Sequence, residues 1–392
     1  MDNDIIPRIR FKGFTEAWEQ RKLHQISLLS KGEQLGKNAM SSTGPYYVLN
    51  GGKEPSGYTN NYNTEANTIS ISEGGNSCGY VNYNTEKYWS GGHNYTLTSL
   101  KLNNSYLFSY LKFKENQIMS MRVGSGLPNI QKSSLNELPI SYPLSEEQKL
   151  IGNFFNHLDT LITLHQRKCD ALTNIKKSLL EKMFPTNDDD KPRIRFKGFT
   201  EAWEQRKLGD IGKTFTGLSG KTANDFGHGE AKFLPYLNIF NNPIADINFL
   251  ETIEIDSSQN RIQYGDVFFT TSSETPEEVG MSSIWLGNSD NIYLNSFCFG
   301  FRPNIEIDPY YLGYYLRSNS FRKKITILAQ GISRFNISKN KVLELSIDLP
   351  SLKEQKLIGQ YFKDLDQSIT LHQRKLEKLK NIKSSLLEKM FL

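Results

Sequence analysis

Residues 147–184, EQKLIGNFFNHLDTLITLHQRKCDALTNIKKSLLEKMF, return at 354–391 as EQKLIGQYFKDLDQSITLHQRKLEKLKNIKSSLLEKMF. Leu158, His165, Leu172 and Leu179 fall seven apart in the first copy, with Ile162, Cys169, Ile175 and Met183 between them. Leu365, His372, Leu379 and Leu386 repeat the spacing in the second, interleaved with Ile369, Leu376, Ile382 and Met390. Such spacing predicts a helix with a single apolar stripe. A helix of about 38 residues rises about 57 Å, more than a small domain needs, and its stripe stays uncovered without a partner. The other copy supplies that partner. Two nearly identical helices related by an internal pseudo-two-fold are expected to pair antiparallel, holding what lies between them at opposite ends. Pro143 and Pro350 precede the helices, and Ser145-x-x-Gln148 and Ser351-x-x-Glu354 read as capping boxes. Pro185 stops the first helix.

Working outward, PRIRFKGFTEAWEQRKL occurs at 7–23 and again, letter for letter, at 192–208. The chain is therefore one unit of roughly 190 residues present twice. In this opener Phe11, Phe14 and Trp18, with Phe196, Phe199 and Trp203 in the copy, are expected to staple the base of each domain to the helices. Thr186–Lys191 is charged, has nothing to bury and reads as a linker. The expected organisation is a first domain over 1–143, a helix over 144–184, a linker over 185–191, a second domain over 192–350 and a second helix over 351–392.

Between the repeated blocks, 24–143 and 209–350 share only echoes, Gly124, Asn129, Ile130 and Lys132 against Gly331, Asn336, Ile337 and Lys339. A repeat kept for packing alone would resemble itself throughout. Constant ends around two different middles imply a common frame carrying two distinct recognition surfaces.

The middles are rich in Gly, Asn, Ser, Thr and Tyr, with short strand-like runs such as Tyr46–Leu49, Thr68–Ile71, Phe233–Leu237, Asp266–Phe269 and Cys298–Phe301. The fold class is thus α+β: two globular domains of mixed short strands and helices, joined by two long antiparallel coiled-coil helices in a pseudo-two-fold tandem repeat. Segment 309–343 holds Arg317, Arg322, Lys323, Lys324, Arg334, Lys339 and Lys341 and no acidic residue. The matching stretch 101–136 holds Lys101, Lys112, Lys114, Arg122 and Lys132 against Glu115 alone. Basic charge recurring at one place in both units points to phosphate contact, because Lys and Arg there displace condensed counterions. Asn, Ser and Tyr among them add groups that read base edges. The candidate DNA contacts are Tyr46, Asn50, Lys53, Arg122, Ser125, Asn129 and Lys132 in the first copy. In the second they are Lys221, Tyr236, Arg322, Lys323, Lys324, Arg334 and Lys339.

Composition sets the outer bounds. The 392 residues are 37% apolar and 12% aromatic, enough to bury cores in two domains. No stretch approaches the roughly 18 apolar residues of a membrane span, and Met1–Pro7 lacks the basic start and apolar run of an export signal. Cys78, Cys169 and Cys298 lie too far apart for a zinc motif or a disulfide framework, which fits a reducing cytoplasm.

Catalytic motifs fail one by one. Gly220-Lys221-Thr222 lacks the glycine five positions earlier that a phosphate-binding loop requires; Phe215 stands there. Asp348 with Glu354-Gln355-Lys356 imitates a nuclease carboxylate set, but Ser141 replaces the aspartate in the first copy. None of the six histidines forms a close ligand pair. No GxGxxG opens a helix, and no Pro-Pro pair marks an amino-methyltransferase. No metal, cofactor or catalytic site is expected on this chain.

The tandem openers at 7–19 and 192–204, and the Leu349-Pro350…Glu354-Gln355-Lys356-Leu357-Ile358 approach to the second helix, resemble the specificity subunit of type I restriction-modification systems. The first copy departs only in Tyr142 where the second has Leu349. The resemblance implies that each variable segment is a target recognition domain reading one half of a split double-stranded DNA sequence. It implies that the helices set the gap and dock two methylation subunits, and restriction subunits through them. His165, Gln166, Arg167, Lys168 and Lys182, with His372, Gln373, Arg374, Lys375 and Lys389, are the candidate docking residues. S-adenosylmethionine, ATP and Mg would belong to those partners, in an adenine-methylating and DNA-cleaving complex. It also implies that Gly51-Gly52-Lys53, Gly124–Asn129 and Gly331–Arg334 fall in loop regions typical of such domains. A coiled-coil adaptor outside restriction and a stand-alone DNA enzyme are the competing readings. The first leaves two different middles unexplained, and the second lacks a catalytic constellation.

Overall fold

The computed structural model describes residues 6–124, 126, 128–186, 189 and 191–391. Met1–Ile5, the candidate Ser125, its neighbour Leu127, and Asn187, Asp188 and Asp190 of the expected linker lie outside the described residues. The chain divides into two compact units. Unit 1 runs to Gln166 and takes up the chain again from Gln373; unit 2 is Arg167–His372. Each long helix, Ser145–Lys182 and Leu352–Met390, is therefore shared: half of it packs in each unit.

The repeated opener folds back as an edge. Glu19–Lys22 pairs antiparallel with Pro139–Tyr142, the strand leading into the first long helix, and Glu204–Lys207 pairs in the same register with Ser346–Leu349. Trp18 and Trp203 are buried just before these strands. In unit 1 a four-stranded sheet has the order Leu28–Lys31, Asn94–Thr98, Thr68–Ser72, Val81–Asn84, and a three-stranded sheet the order Gly57–Thr59, Tyr46–Leu49, Trp89–Ser90. Unit 2 repeats both. Its four-stranded sheet is Gly212–Thr216, Cys298–Pro303, Val267–Thr270, Ser282–Ile284; its three-stranded sheet is Glu251–Ile253, Phe226–Leu234, Ile292–Leu294. The smaller sheet contains one parallel pair in each unit. One topology is thus built from two unlike sequences, and different chemistry fills it. Ser70, Asn84, Ser90, Asn94 and Thr96 are buried and hydrogen-bonded in unit 1. In unit 2 Leu234, Phe268, Trp285 and Leu294 pack as an apolar cluster, with Phe268 on the strand that matches Ser70's. Phe233–Leu237 is not one strand: the chain turns at Pro235 and Tyr236–Asn241 is helical.

The EQKLIG motif serves as a joint in both helices. Glu147, fully buried, takes a two-pronged pair from Arg10 (2.8 and 2.8 Å), and Glu354 takes the same from Arg195 (2.7 and 2.8 Å). Gln148 donates to the Pro143 carbonyl (2.8 Å) and accepts from the Asn103 amide (2.9 Å); Gln355 repeats this with Pro350 and Asp308 (2.8 and 3.0 Å). The expected capping box at Ser145 is therefore not formed by Gln148. At the second helix Ser351 caps the Glu354 amide (3.4 Å), but the Glu354 carboxylate belongs to Arg195. Gly152 and Gly359 let the helices Asn104–Phe113 and Pro309–Tyr315 start against them; an added Cβ would lie 2.7 Å from the Tyr106 nitrogen and 2.5 Å from Asp308 Oδ1.

Helix pairing within each unit is antiparallel. In unit 1 Phe155 meets Phe391 and Asp159 meets Lys383; in unit 2 Phe362 meets Phe184 and Asp366 meets Lys176. Of the stripe, Leu158, Cys169, Met183, Leu376 and Met390 are buried. Ile175 and Ile382, expected in it, are exposed instead (46% and 37%). Phe391, at the end of the second helix, sits among Trp18, Tyr106, Tyr110, Phe113 and Phe155 of unit 1. Phe184, at the end of the first, sits among Trp203, Tyr311, Tyr315 and Phe362 of unit 2.

Candidate nucleic-acid interface

The echoes between the two middles mark the same local structure. In unit 1 the chain from Val123 to Asn129 closes as a hairpin: the Val123 amide donates to Asn129 (2.8 Å) and the Asn129 amide to Val123 (3.0 Å). This loop hangs on Glu73–Gly75, through the Ile130 amide to the Glu73 carbonyl (2.8 Å) and the Gly75 amide to Pro128 (3.0 Å). In unit 2 Gln330 and Asn336 exchange the same two bonds (2.9 and 2.8 Å). Ser272 pairs with Asn336 and Ser273 with Phe335, and the Ile337 amide reaches Thr271 (3.0 Å). Gly124 and Gly331 open the hairpins at φ +96° and +144°. At Gly331 a Cβ would lie 2.0 Å from the Arg334 carbonyl oxygen, so only glycine fits.

Exposed cations flank both hairpins. Arg122 and Lys132 bracket the first, Arg334 lies in the second, and Lys339 matches Lys132 at the start of the following helix. Asn129 is exposed at the base of the first hairpin. Lys53 is exposed too, its ammonium 5.0 Å from the Tyr80 ring centre, and Lys323 is exposed on the helix Asn319–Ile327.

Three expected phosphate contacts have other work. The Arg322 guanidinium donates to the carbonyls of Glu277 (2.8 Å), Val279 (2.6 Å) and Gly280 (2.7 Å), and burial pulls it down to about 10, still a cation at neutral pH. Lys324 donates to the Ser346 carbonyl (2.9 Å) with Asp348 3.7 Å away. Lys221 is paired with Asp256 (2.7 Å), which it and Ser258 hold well below the usual carboxylate range. Much of the recurring basic charge thus satisfies the protein's own carbonyls and carboxylates. Arg317, likewise half-buried, binds the Ile239 and Ser282 carbonyls (2.7 and 2.6 Å).

The neutral candidates support the surface more than they form it. Tyr236 is half-buried, stacks on Phe240 and donates to the Ser272 carbonyl (2.9 Å), bracing the strand that carries the hairpin. Asn50 accepts from the His93 amide (3.0 Å), and Tyr46 leans on Tyr62 (5.0 Å between centres). On the long helices, Gln166, Arg167, Lys168, Lys182, Gln373, Arg374, Lys375 and Lys389 are exposed, while His165 and His372 are half-buried. The backbone carbonyls of Lys182 and Lys389 accept the Ile194 and Ile9 amides (2.9 Å each), tying each helix end to an opener.

Asp348, the carboxylate that imitated a nuclease, is buried and taken by Gln205 and Tyr315 (2.9 and 2.6 Å). Among the described residues no group of three His, Cys, Asp or Glu side chains is placed to hold a metal ion, and no helix is long and apolar enough to cross a membrane. The supports under the hairpins, the two-residue strand Ser272–Ser273 in unit 2 and the single bridge Gly74–Asn129 in unit 1, are too short to carry an alternation in the sequence.

The profile of the type I restriction modification DNA specificity domain matches residues 15–174 and 200–381. A putative type I specificity subunit of Mycoplasma pneumoniae is 32% identical over 208 residues, 52% of this chain and 54% of that protein, so the chain aligns with about half of that relative's length. A putative type I specificity subunit of Mycoplasma genitalium is 25% identical over 382 residues, 95% of this chain and 94% of that one. The crystal structure of a type I restriction-modification S subunit from M. genitalium has the same fold, with a TM-score of 0.65 at 22% identity over 98% of this chain and 99% of that one.

Proposed function

The chain belongs to the type I restriction-modification DNA specificity family, and we propose that its two units each read one half of a bipartite double-stranded DNA target. The observation that carries this reading is the pair of equivalent hairpins, closed by Asn129 and Asn336, whose frames agree and whose surrounding residues differ. Equal frames with unequal surfaces are what two independent half-sites call for. Phosphate contact falls to the exposed Lys132, Lys323 and Lys339, and base contact to the hairpins. The paired helices, of 38 and 39 residues, serve as the spacer that sets the unspecified gap. Their repeated exposed runs, Gln166–Lys168 and Gln373–Lys375, offer docking surfaces for two methylation subunits. In this account S-adenosylmethionine, ATP and Mg act on the partner subunits, in the cytoplasm.

The test is selection from a randomised DNA library by the chain assembled with its methylation subunits. Two short specified sequences separated by a constant unspecified gap are expected. A single uninterrupted motif, or no sequence preference, would overturn the proposal.

A further inference from the structure

The hairpin of unit 2 leaves two opposite charges at the open end of its ladder. Ser272 pairs with Asn336 and Ser273 with Phe335; the ladder ends there, with Glu274 the next residue along one strand and Arg334 the next along the other. Both residues are exposed, and neither side chain makes a hydrogen bond or ion pair among the described residues. The backbone just beyond Glu274 is held by Arg322, whose guanidinium grips the carbonyls of Glu277, Val279 and Gly280.

A carboxylate is out of place on a surface that meets phosphates, since the two repel. It belongs there when it accepts a hydrogen bond from a base. In the major groove the cytosine N4 amino group is a donor that Glu accepts from, and guanine O6 and N7 are acceptors that Arg forks onto. Those groups lie side by side on one C·G pair. We propose that Glu274 and Arg334 together read a C·G pair in the half-site of unit 2, with Glu274 the specificity-determining residue. The matching register position in unit 1 follows Gly74, paired with Asn129, and Gly75, bonded to Pro128; it is Asn76, also exposed. Asn at that place suits adenine N6 and N7. The position thus differs between units while the ladder beneath it does not.

This inference rests on the hairpins being DNA readers, and the test separates the two. Library selection is run with the full chain assembled with its methylation subunits, as wild type, Glu274→Gln and Glu274→Asn. The unit 2 half is identified as the one that changes when 209–350 is replaced. Wild type is expected to specify C·G at one position of that half. Glu274→Gln is expected to lose about tenfold of the discrimination there, and Glu274→Asn to move the preference toward A·T. The other half and the binding of unrelated DNA stay as in wild type. A bipartite wild-type target with no C·G in the unit 2 half, or variants that keep the C·G preference, overturn the role of Glu274 and leave the bipartite reading standing. A wild type without sequence preference overturns both.

Discussion

The ring of Phe391 lies nearly parallel to that of Phe155, with centres 5.5 Å apart and planes 24° from parallel. Phe155 belongs to the first long helix and Phe391 ends the second, so unit 1 is completed by the last described residue of the chain. Phe184 and Phe362 repeat the stack in unit 2, with centres 5.8 Å apart. Each unit is closed by the helix end that its own middle does not lead into.

Because Phe391 is 2% exposed and touches five aromatic rings, Phe391→Ala should destabilise unit 1 by about 3–5 kcal/mol. Denaturant unfolding followed by hydrogen exchange checks this. Protection should fall in the sheets of unit 1 and hold in unit 2, and Phe184→Ala should give the reverse. Equal losses in both units would mean that the closures are not separate.

Alanine normally stabilises an exposed helix over glycine by about 1 kcal/mol. Gly152→Ala and Gly359→Ala should instead lower the melting temperature, since the new methyl would lie within 3 Å of the neighbouring helix start. A raised melting temperature for either variant would contradict the close approach.

The pairs Arg10–Glu147 and Arg195–Glu354 are buried, with both carboxylates at most 1% exposed. Removing one partner leaves the other charge stranded, at a cost of about 3–5 kcal/mol. Glu354→Gln should therefore destabilise unit 2, measured by denaturant midpoint, while Lys356→Gln on the exposed side of the same turn changes it by under about 0.5 kcal/mol.

Cation variants should split by where their donors point. Lys339→Ala, at an exposed position matched by Lys132, should make the log-affinity against log-salt slope for DNA shallower by about one. Arg322→Ala should leave three carbonyls without their donor and lower thermal stability. A normal salt slope in Lys339→Ala would place that lysine off the DNA.

The repeated blocks made the tandem repeat and its two long helices legible, because identical segments and a seven-residue spacing survive in plain sequence, but not that each compact unit takes half of both helices. The echo of Gly124, Asn129 and Ile130 in Gly331, Asn336 and Ile337 falls on the two hairpins, although nothing in those few letters shows a hairpin. What stayed hidden depended on direction. A basic run looks the same whether Arg322 faces a phosphate or three carbonyls of its own chain. Ile175 has the spacing of a buried residue and points outward, since one apolar position of a shared stripe says nothing of which side the neighbour covers. Glu147 and Gln148 read as helix-start polar residues, and only the fold supplied Arg10 and Asn103 as their partners. Glu274 gave no signal because it lies one residue beyond a strand of only two residues.

The claim that each unit reads its own half-site is tested most directly by replacing 209–350 with the corresponding segment of another family member. Methylated positions are then mapped by sequencing DNA from cells that carry the assembled system. The account predicts that one half of the methylated sequence changes while the other half and the gap between them persist; a change in both halves, or in neither, would contradict it.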